Sequence, residues 1–174
     1  KKNTEAYTSN IHSFLSLGDN GITSSFSKKA GKSETPIVKA QKVVTGQDAV
    51  SLIQKYIAEN PDCGYDYFPA PAGCTWHVMV YSINYDKCID KPYTNVKLIG
   101  ADGDPLKYRG VRYEERTHDI FSNETEKDGW TESVMCYYAI PNGCSEYFLR
   151  FGDGDNTNGQ YSAYYRIEVP TNGN

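Results

Sequence analysis

The residues that could perform acid–base or nucleophilic chemistry are few, and their spacing does not bring them together. The three histidines are His12, His77 and His118, the last followed by Asp119. Neighbours on a strand point to opposite faces, so His118 and Asp119 cannot orient each other, and the same holds for the pair Glu114–Glu115. His77 stands in an apolar stretch and is interpreted as a hydrogen-bonded core histidine. We therefore predict no catalytic residue, no cofactor and no enzymatic activity.

One acidic loop offers oxygen atoms of the kind that calcium binds. Asp153 and Asp155 alternate with small polar residues, but the loop lacks the glycine position and the distant glutamate of an EF-hand. These two aspartates are weak calcium candidates. A solvated turn is the preferred interpretation, and no metal is assigned.

Five cysteines suggest an oxidising compartment, and their odd number leaves one without a partner. Fifteen connectivities contain two bridges and one thiol, and the sequence alone does not choose among them. We predict that Cys63 pairs with Cys74, because the two bracket a short loop, and that Cys88 pairs with Cys144, because both stand beside turns. Cys136 shares a face with apolar residues and is predicted to be a buried thiol.

The segment between Cys63 and Cys74 is rich in aromatic residues. Tyr65, Tyr67 and Phe68, together with the distant Trp130, are the candidate ligand-binding residues. The alternative is that the aromatic rings of the loop pack against the rest of the fold, as large apolar side chains usually do.

Composition and charge exclude several functions. The chain has 174 residues and a net charge of −4, and no run of lysine or arginine exceeds two residues. A nucleic-acid partner is therefore not expected, because it requires a clustered basic surface. No apolar run approaches the roughly 18 residues of a membrane span. Fifteen tyrosines, fifteen glycines and two methionines are typical of extracellular β-proteins.

The segment that organises the chain is Thr75 to Asp86. Trp76, Val78 and Val80 alternate with His77, Met79, Tyr81, Ile83 and Tyr85, so that both faces of the predicted strand are largely apolar. Its β-branched and aromatic content favours a strand over a helix. We expect a central strand that is covered on both faces.

Turn signals divide the rest of the chain into short strands and one helix. Residues 45 to 60 have apolar residues at helical spacing, with a capping box suggested by Thr45 and Asp48, and we expect this helix at an open end or edge of a sandwich. Asp-Gly at 102–103 and Pro141-Asn142-Gly143 each predict a hairpin. Strands are predicted over residues 36–44, 93–100, 106–113, 119–121, 131–140, 147–151 and 161–169.

The first 35 residues are polar and carry a charge of +2, whereas the remainder carries −6. They are predicted to be a linker or tether that is loosely docked, and residues 36–174 are predicted to be the folded domain.

The strand that ends at Asn84, the run Val96 to Gly103 and the later Val134 to Leu149 carry a family resemblance. The region 36–169 resembles the uncharacterised immunoglobulin-like domains of secreted and surface lipoproteins of Gram-positive bacteria. This resemblance implies an antiparallel immunoglobulin-like β-sandwich, here with one inserted amphipathic helix, in a protein that is exported or held at the cell surface. The membrane would be reached only through a lipid anchor upstream of Lys1.

We therefore expect a monomeric, non-catalytic binding or adhesion module whose partner is a protein or glycan at the cell surface. Loops on a rigid scaffold would form its contact surface. The alternative is a carbohydrate-binding module with exposed aromatic rings. Coplanar rings in a concave strip would favour sugar, and a flat apolar patch would favour protein.

Overall fold

The computed structural model describes residues 5–92, 94–108, 111–112, 118–120, 128–131 and 133–170, which are mainly β with one α-helix. The helix α1 spans Gly46–Glu59, and a single 3-10 turn, Pro61–Cys63, follows it. The strands are β1 Asn20–Ile22, β2 Ser25–Ser27, β3 Lys32–Glu34, β4 Ile37–Thr45, β5 Cys74–Asn84, β6 Val96–Gly100, β7 Lys107–Tyr108, β8 Val111–Arg112, β9 His118–Ile120, β10 Val134–Pro141, β11 Glu146–Phe151 and β12 Ala163–Glu168.

The strands form two main antiparallel sheets. The first has the order β1-β4-β5-β10-β9 and the second the order β12-β11-β6. Two small hairpins, β2-β3 and β7-β8, are separate from both. This arrangement confirms the predicted mainly β, antiparallel class.

Strand β5 lies at the centre of the larger sheet and is covered on both faces, as its alternating pattern predicts. Met79, Tyr81 and Ile83 face the second sheet, whereas Val78 and Val80 pack under α1. Because the two faces of one strand belong to two different apolar clusters, the molecule has three layers: helix, five-stranded sheet and three-stranded sheet.

The main core lies between the two sheets and follows the predicted alternation. In β10 the inward positions are Val134, Cys136, Tyr138 and Ile140, and Cys136 is the buried thiol that the sequence predicts. The facing sheet contributes inward residues from all three of its strands: Val96, Leu98, Tyr147, Leu149, Phe151, Ala163, Tyr165 and Ile167.

The helix forms where it is predicted but packs elsewhere. Ala49 and Ile53 lie buried on the outer face of the larger sheet, against Val78, Val80 and Tyr137, and not at an open end of the sandwich. The prediction failed because the outer face of β5 is as apolar as its inner face and needs a cover of its own. The capping box is also wrong, since Thr45 makes no side-chain cap.

The connection through Pro141-Asn142-Gly143 is not a hairpin. It carries the chain from β10 in the first sheet to β11 in the second. Strand β5 pairs with the whole of β10 on one side, and β9 pairs with residues 135–137 on the other, whereas β11 pairs with β6 and β12. At the Asp-Gly turn, residues 102–103, the chain does fold back alongside β6. Leu106 N donates a hydrogen bond to Leu98 O in that strand at 3.2 Å.

Residues 5–35 belong to the fold and are not a loose tether. Leu15 lies in the main core and forms a parallel bridge with Tyr165 of β12. Further along, β1 pairs with β4, so the segment joins an edge of each sheet. Thr23 and Ser24 are buried, and Thr23 Oγ1 donates to Pro36 O at 2.9 Å. Buried hydroxyls that are satisfied in this way carry no hydrophobic signal, which is why the boundary at residue 35 was wrong.

Candidate functional site

The loop between the 3-10 turn and β5 presents one aromatic ring to solvent on an anchored backbone. The indole Nε1 of Trp76 donates a hydrogen bond to the carbonyl oxygen of Phe68 at 3.0 Å. Tyr67 next to it packs against the cluster under α1. The Phe68 side chain is 68% exposed, the largest exposed fraction among the large apolar side chains of the described residues. The loop therefore combines a fixed main chain with an exposed ring.

Tyr65, on the same loop, lies at the edge of the helix layer. Its side chain is half-buried. Burial, with a smaller contribution from the charges of Tyr65 and Cys63, raises the pKa of both Tyr56 and Tyr137. Tyr65 thus packs toward the fold, as the alternative interpretation of the loop expects.

Trp130 is remote from this loop. It forms a bridge with Asn84 at the far end of β5, and the ammonium group of Lys39 lies 4.8 Å from its ring centroid. Trp76, which holds Phe68, is eight residues away along the strand, about 26 Å at the usual rise. The four predicted aromatic residues therefore do not form one strip of rings.

A chain of three buried polar groups crosses the main core at the same end as the loop. His77 Nδ1 lies 2.9 Å from the Tyr147 hydroxyl, which lies 2.8 Å from the Tyr138 hydroxyl. Burial lowers the pKa of His77 to about 4, so its imidazole is uncharged near neutral pH. His77 is thus the hydrogen-bonded core histidine that the sequence predicts.

His77 also lines a cleft of about 550 Å3 at this end of the sandwich. The cleft is bounded by the start of α1, the start of β5, the turn after β10 and the end of β12. Its other lining residues are Thr45, Gly46, Thr75, Ile140, Pro141, Asn142, Gly143, Cys144, Ser145, Val169 and Pro170. A second cleft of about 490 Å3 shares Thr45 and Pro170 with it and extends toward Phe14 and Leu17.

The five cysteines, all of which are described, are thiols in the structure. The predicted pair Cys88–Cys144 is incompatible with the fold. Cys88 follows the end of β5, whereas Cys144 follows Pro141, which pairs with Cys74 at the start of β5. The two cysteines therefore lie near opposite ends of β5, which is about 33 Å long, whereas the α-carbons of a disulfide are at most about 7 Å apart. The pair Cys63–Cys74 brackets the aromatic loop and stays a prediction.

The calcium candidates act as hydrogen-bond acceptors within and beside their own loop. Asp155 Oδ1 accepts bonds from the amide and hydroxyl of Thr157, and Asp153 Oδ1 accepts one from Asn95. In the part of the chain that the structure describes, no three histidine, cysteine or acidic residues are grouped as metal ligands would be.

The pair Glu114–Glu115 lies outside the described residues. His118 and Asp119 are part of β9, which pairs with β10, and their side chains lie outside the described part of the structure.

Comparison of the chain with models of protein families, with curated proteins and with solved structures gives no match. Within the described ranges, no helix combines the length and the apolar character that crossing a bilayer requires.

The partners of His77 could not be found from sequence patterns. Alternation correctly directs Tyr138 inward, but Tyr147 reaches His77 across 70 residues of sequence and from the other sheet. The one available signal was a tyrosine at an inward position of β10 and of β11. A buried tyrosine hydroxyl usually has a hydrogen-bond partner, so each tyrosine indicated a polar contact in the core.

Proposed function

We propose that this chain is a non-catalytic binding module with an immunoglobulin-like fold. The support for the fold is the strand order. If β4, β5, β6, β9, β10, β11 and β12 are taken as strands A to G, the two sheets read A-B-E-D and C-F-G, the arrangement of constant-type immunoglobulin domains. Strand β1 then extends the first sheet beyond strand A, and α1 is inserted between A and B.

The proposed contact surface is the loop of residues 64–73, with Phe68 at its centre. The observation that carries this proposal is the exposed ring of Phe68 on a backbone that Trp76 holds in place. An anchored loop loses little conformational entropy on binding, and aromatic anchors contribute much of the energy of protein interfaces. The partner is a protein, since the candidate rings do not form the strip that a sugar chain would follow.

The proposed setting is the cell surface of a Gram-positive bacterium or the surrounding medium, with the domain acting as a monomer. The tyrosine-rich, methionine-poor composition supports export. A bridge between Cys63 and Cys74 would form after export and would tie together the two ends of the loop that carries Phe68.

The test is binding of the purified protein to arrays of extracellular proteins and of glycans. We expect at least one protein ligand, with a Kd that the substitution Phe68→Ala weakens at least tenfold. The matched control is Phe26→Ala, because Phe26 is 62% exposed but lies on β2, and we expect its effect to stay within twofold. Binding to glycans alone, or equal losses for the two variants, would refute the proposal.

A further inference from the structure

One wall of the cleft is formed by His77, whose second ring nitrogen has no partner among the described residues. Nδ1 of His77 is taken by Tyr147, and no described residue bonds Nε2. The side chain is only 2% exposed. In the described part of the chain, Asn20 Oδ1 alone is a fully buried side-chain nitrogen or oxygen without a partner. Nε2 therefore retains contact with solvent, and the cleft is where His77 reaches it.

The helix that borders the cleft brings further donors to it. Thr45 and Gly46 at the start of α1 both line the cleft, and Thr45 makes no side-chain cap. The first amides of a helix have no acceptor within the helix, and among the first three only that of Gly46 belongs to a residue that lines the cleft. On the opposite wall, Thr75 Oγ1 donates to Asn142 Oδ1 at 2.7 Å, which leaves the amide group of Asn142 as a donor.

These groups select for a neutral ligand. The His77 imidazole is uncharged, and the residues that line the cleft include no lysine, arginine, aspartate or glutamate. Ile140, Pro141, Val169 and Pro170 supply apolar surface beside the polar groups. A volume of about 550 Å3 lies within the usual range for small-molecule sites, roughly 300 to 1,000 Å3.

The hydrogen-bond chain behind His77 points to a hydroxyl group. If the Tyr147 hydroxyl donates to Nδ1, then Nε2 carries a proton and donates into the cleft. If Nδ1 donates to Tyr147 instead, Nε2 is an acceptor. A hydroxyl group satisfies either state, because it both donates and accepts.

We propose that this cleft is a binding site for a small neutral polyhydroxylated molecule, a monosaccharide or a similar polyol, with one hydroxyl bound to His77 Nε2. The site is separate from the Phe68 loop and does not depend on the function proposed for that loop.

The experiment is NMR titration of the whole chain with D-glucose, D-galactose, N-acetyl-D-glucosamine and glycerol into the millimolar range, with sodium acetate as the charged comparison. We expect saturable shifts for at least one sugar at Thr75, Gly143 and Cys144 and at the His77 ring. Shifts that do not saturate, shifts elsewhere on the chain, or tighter binding of acetate would overturn the proposal.

A pair of variants distinguishes binding in the cleft from a general effect of sugar on the protein. Ser145→Trp places a bulky ring at an exposed position of the cleft wall and should abolish binding, whereas Ser51→Trp, at an exposed position on α1, should leave it unchanged. His77→Phe, if folded by circular dichroism, should weaken binding about tenfold. Equal binding by Ser145→Trp and the unaltered chain would refute the proposal, even if His77→Phe fails to fold.

Discussion

The hydroxyl of Tyr165 in β12 lies 3.0 Å from the carbonyl oxygen of Val38 in β4, so that one side chain links the two sheets. The same hydroxyl lies 2.6 Å from the carbonyl oxygen of Asp19, just before β1. Burial raises the pKa of Tyr165, so the hydroxyl remains a donor over the whole physiological range.

Tyr165→Phe should therefore destabilise the fold by about 1 to 2 kcal/mol, because it leaves two carbonyl groups short of a donor inside the protein. Urea unfolding followed by circular dichroism measures the change. Tyr7→Phe is the matched control, since Tyr7 is 53% exposed, and its effect should stay below about 0.5 kcal/mol. If both variants unfold at the same urea concentration, Tyr165 does not link the sheets as described.

Deletion of residues 1–35 should abolish cooperative unfolding or lower the melting temperature severely. The deletion removes Leu15 from the core, removes β1 from the edge of β4, and exposes the groove that both fill. A tether would behave differently, because its removal leaves the melting temperature unchanged. Calorimetry of chains 1–174 and 36–174 distinguishes the two cases.

The same segment should not tolerate Gly21→Ala. A β-carbon at residue 21 would lie 2.6 Å from the β-carbon of Ala163 and 2.7 Å from Leu15 Cδ1, so the sheets would have to separate. Overpacking of this kind costs about 1 to 3 kcal/mol. The compensating double variant Gly21→Ala with Ala163→Gly should recover part of that loss in urea unfolding. No recovery would show that Ala163 is not the obstacle.

Stability should fall on acidification through the titration of His77. Its pKa is about 4 in the folded protein and about 6.5 when unfolded, so the unfolded chain binds the proton first as the pH drops. The stabilisation is complete above pH 6.5 and decreases toward pH 4, by about 3 kcal/mol in all. His77→Gln should flatten this part of the curve of unfolding free energy against pH. A parallel curve for His77→Gln would contradict the assignment.

Cys88 should react slowly with alkylating reagents. Burial raises its pKa to about 11, with a further contribution from the negative charge of Glu34, a buried carboxylate that accepts the amides of Ile89 and Asp90 at 2.6 and 3.2 Å. Glu34→Gln should shift the pH profile of iodoacetamide labelling at Cys88 to lower pH. Glu34→Asp keeps the charge while loosening the loop, so an equal shift in that variant would attribute the effect to exposure and not to charge.

The spacing of apolar residues correctly predicted which face of a strand or helix is buried. The two faces of β5, the inward face of β10 and the bounds of α1 all follow from the period of apolar residues. The partners of those elements could not be predicted in the same way. The turn signal at Pro141-Asn142-Gly143 marks a break between two strands, but it does not indicate whether β11 pairs with β10 or joins the other sheet.

The sequence identified individual residues of the candidate site but not their arrangement in space. Phe68 was chosen as an aromatic residue in a short loop, but no pattern indicated that its ring is exposed or that Trp76 bonds its carbonyl oxygen. The cleft was missed because its lining comes from four distant parts of the chain. His77 was correctly interpreted as a core residue, yet no pattern indicates that it also lines a cleft.

The parallel contact between Leu15 and β12 has a mechanical consequence. Leu15 N donates to Tyr164 O at 2.8 Å, and Arg166 N donates to Leu15 O at 3.2 Å. Tension applied between the two ends of the chain pulls these parallel segments past each other, so both bonds are loaded in shear and must break together. We expect the domain to resist stretching more strongly than a hairpin of equal length, whose bonds would open one after another from the end.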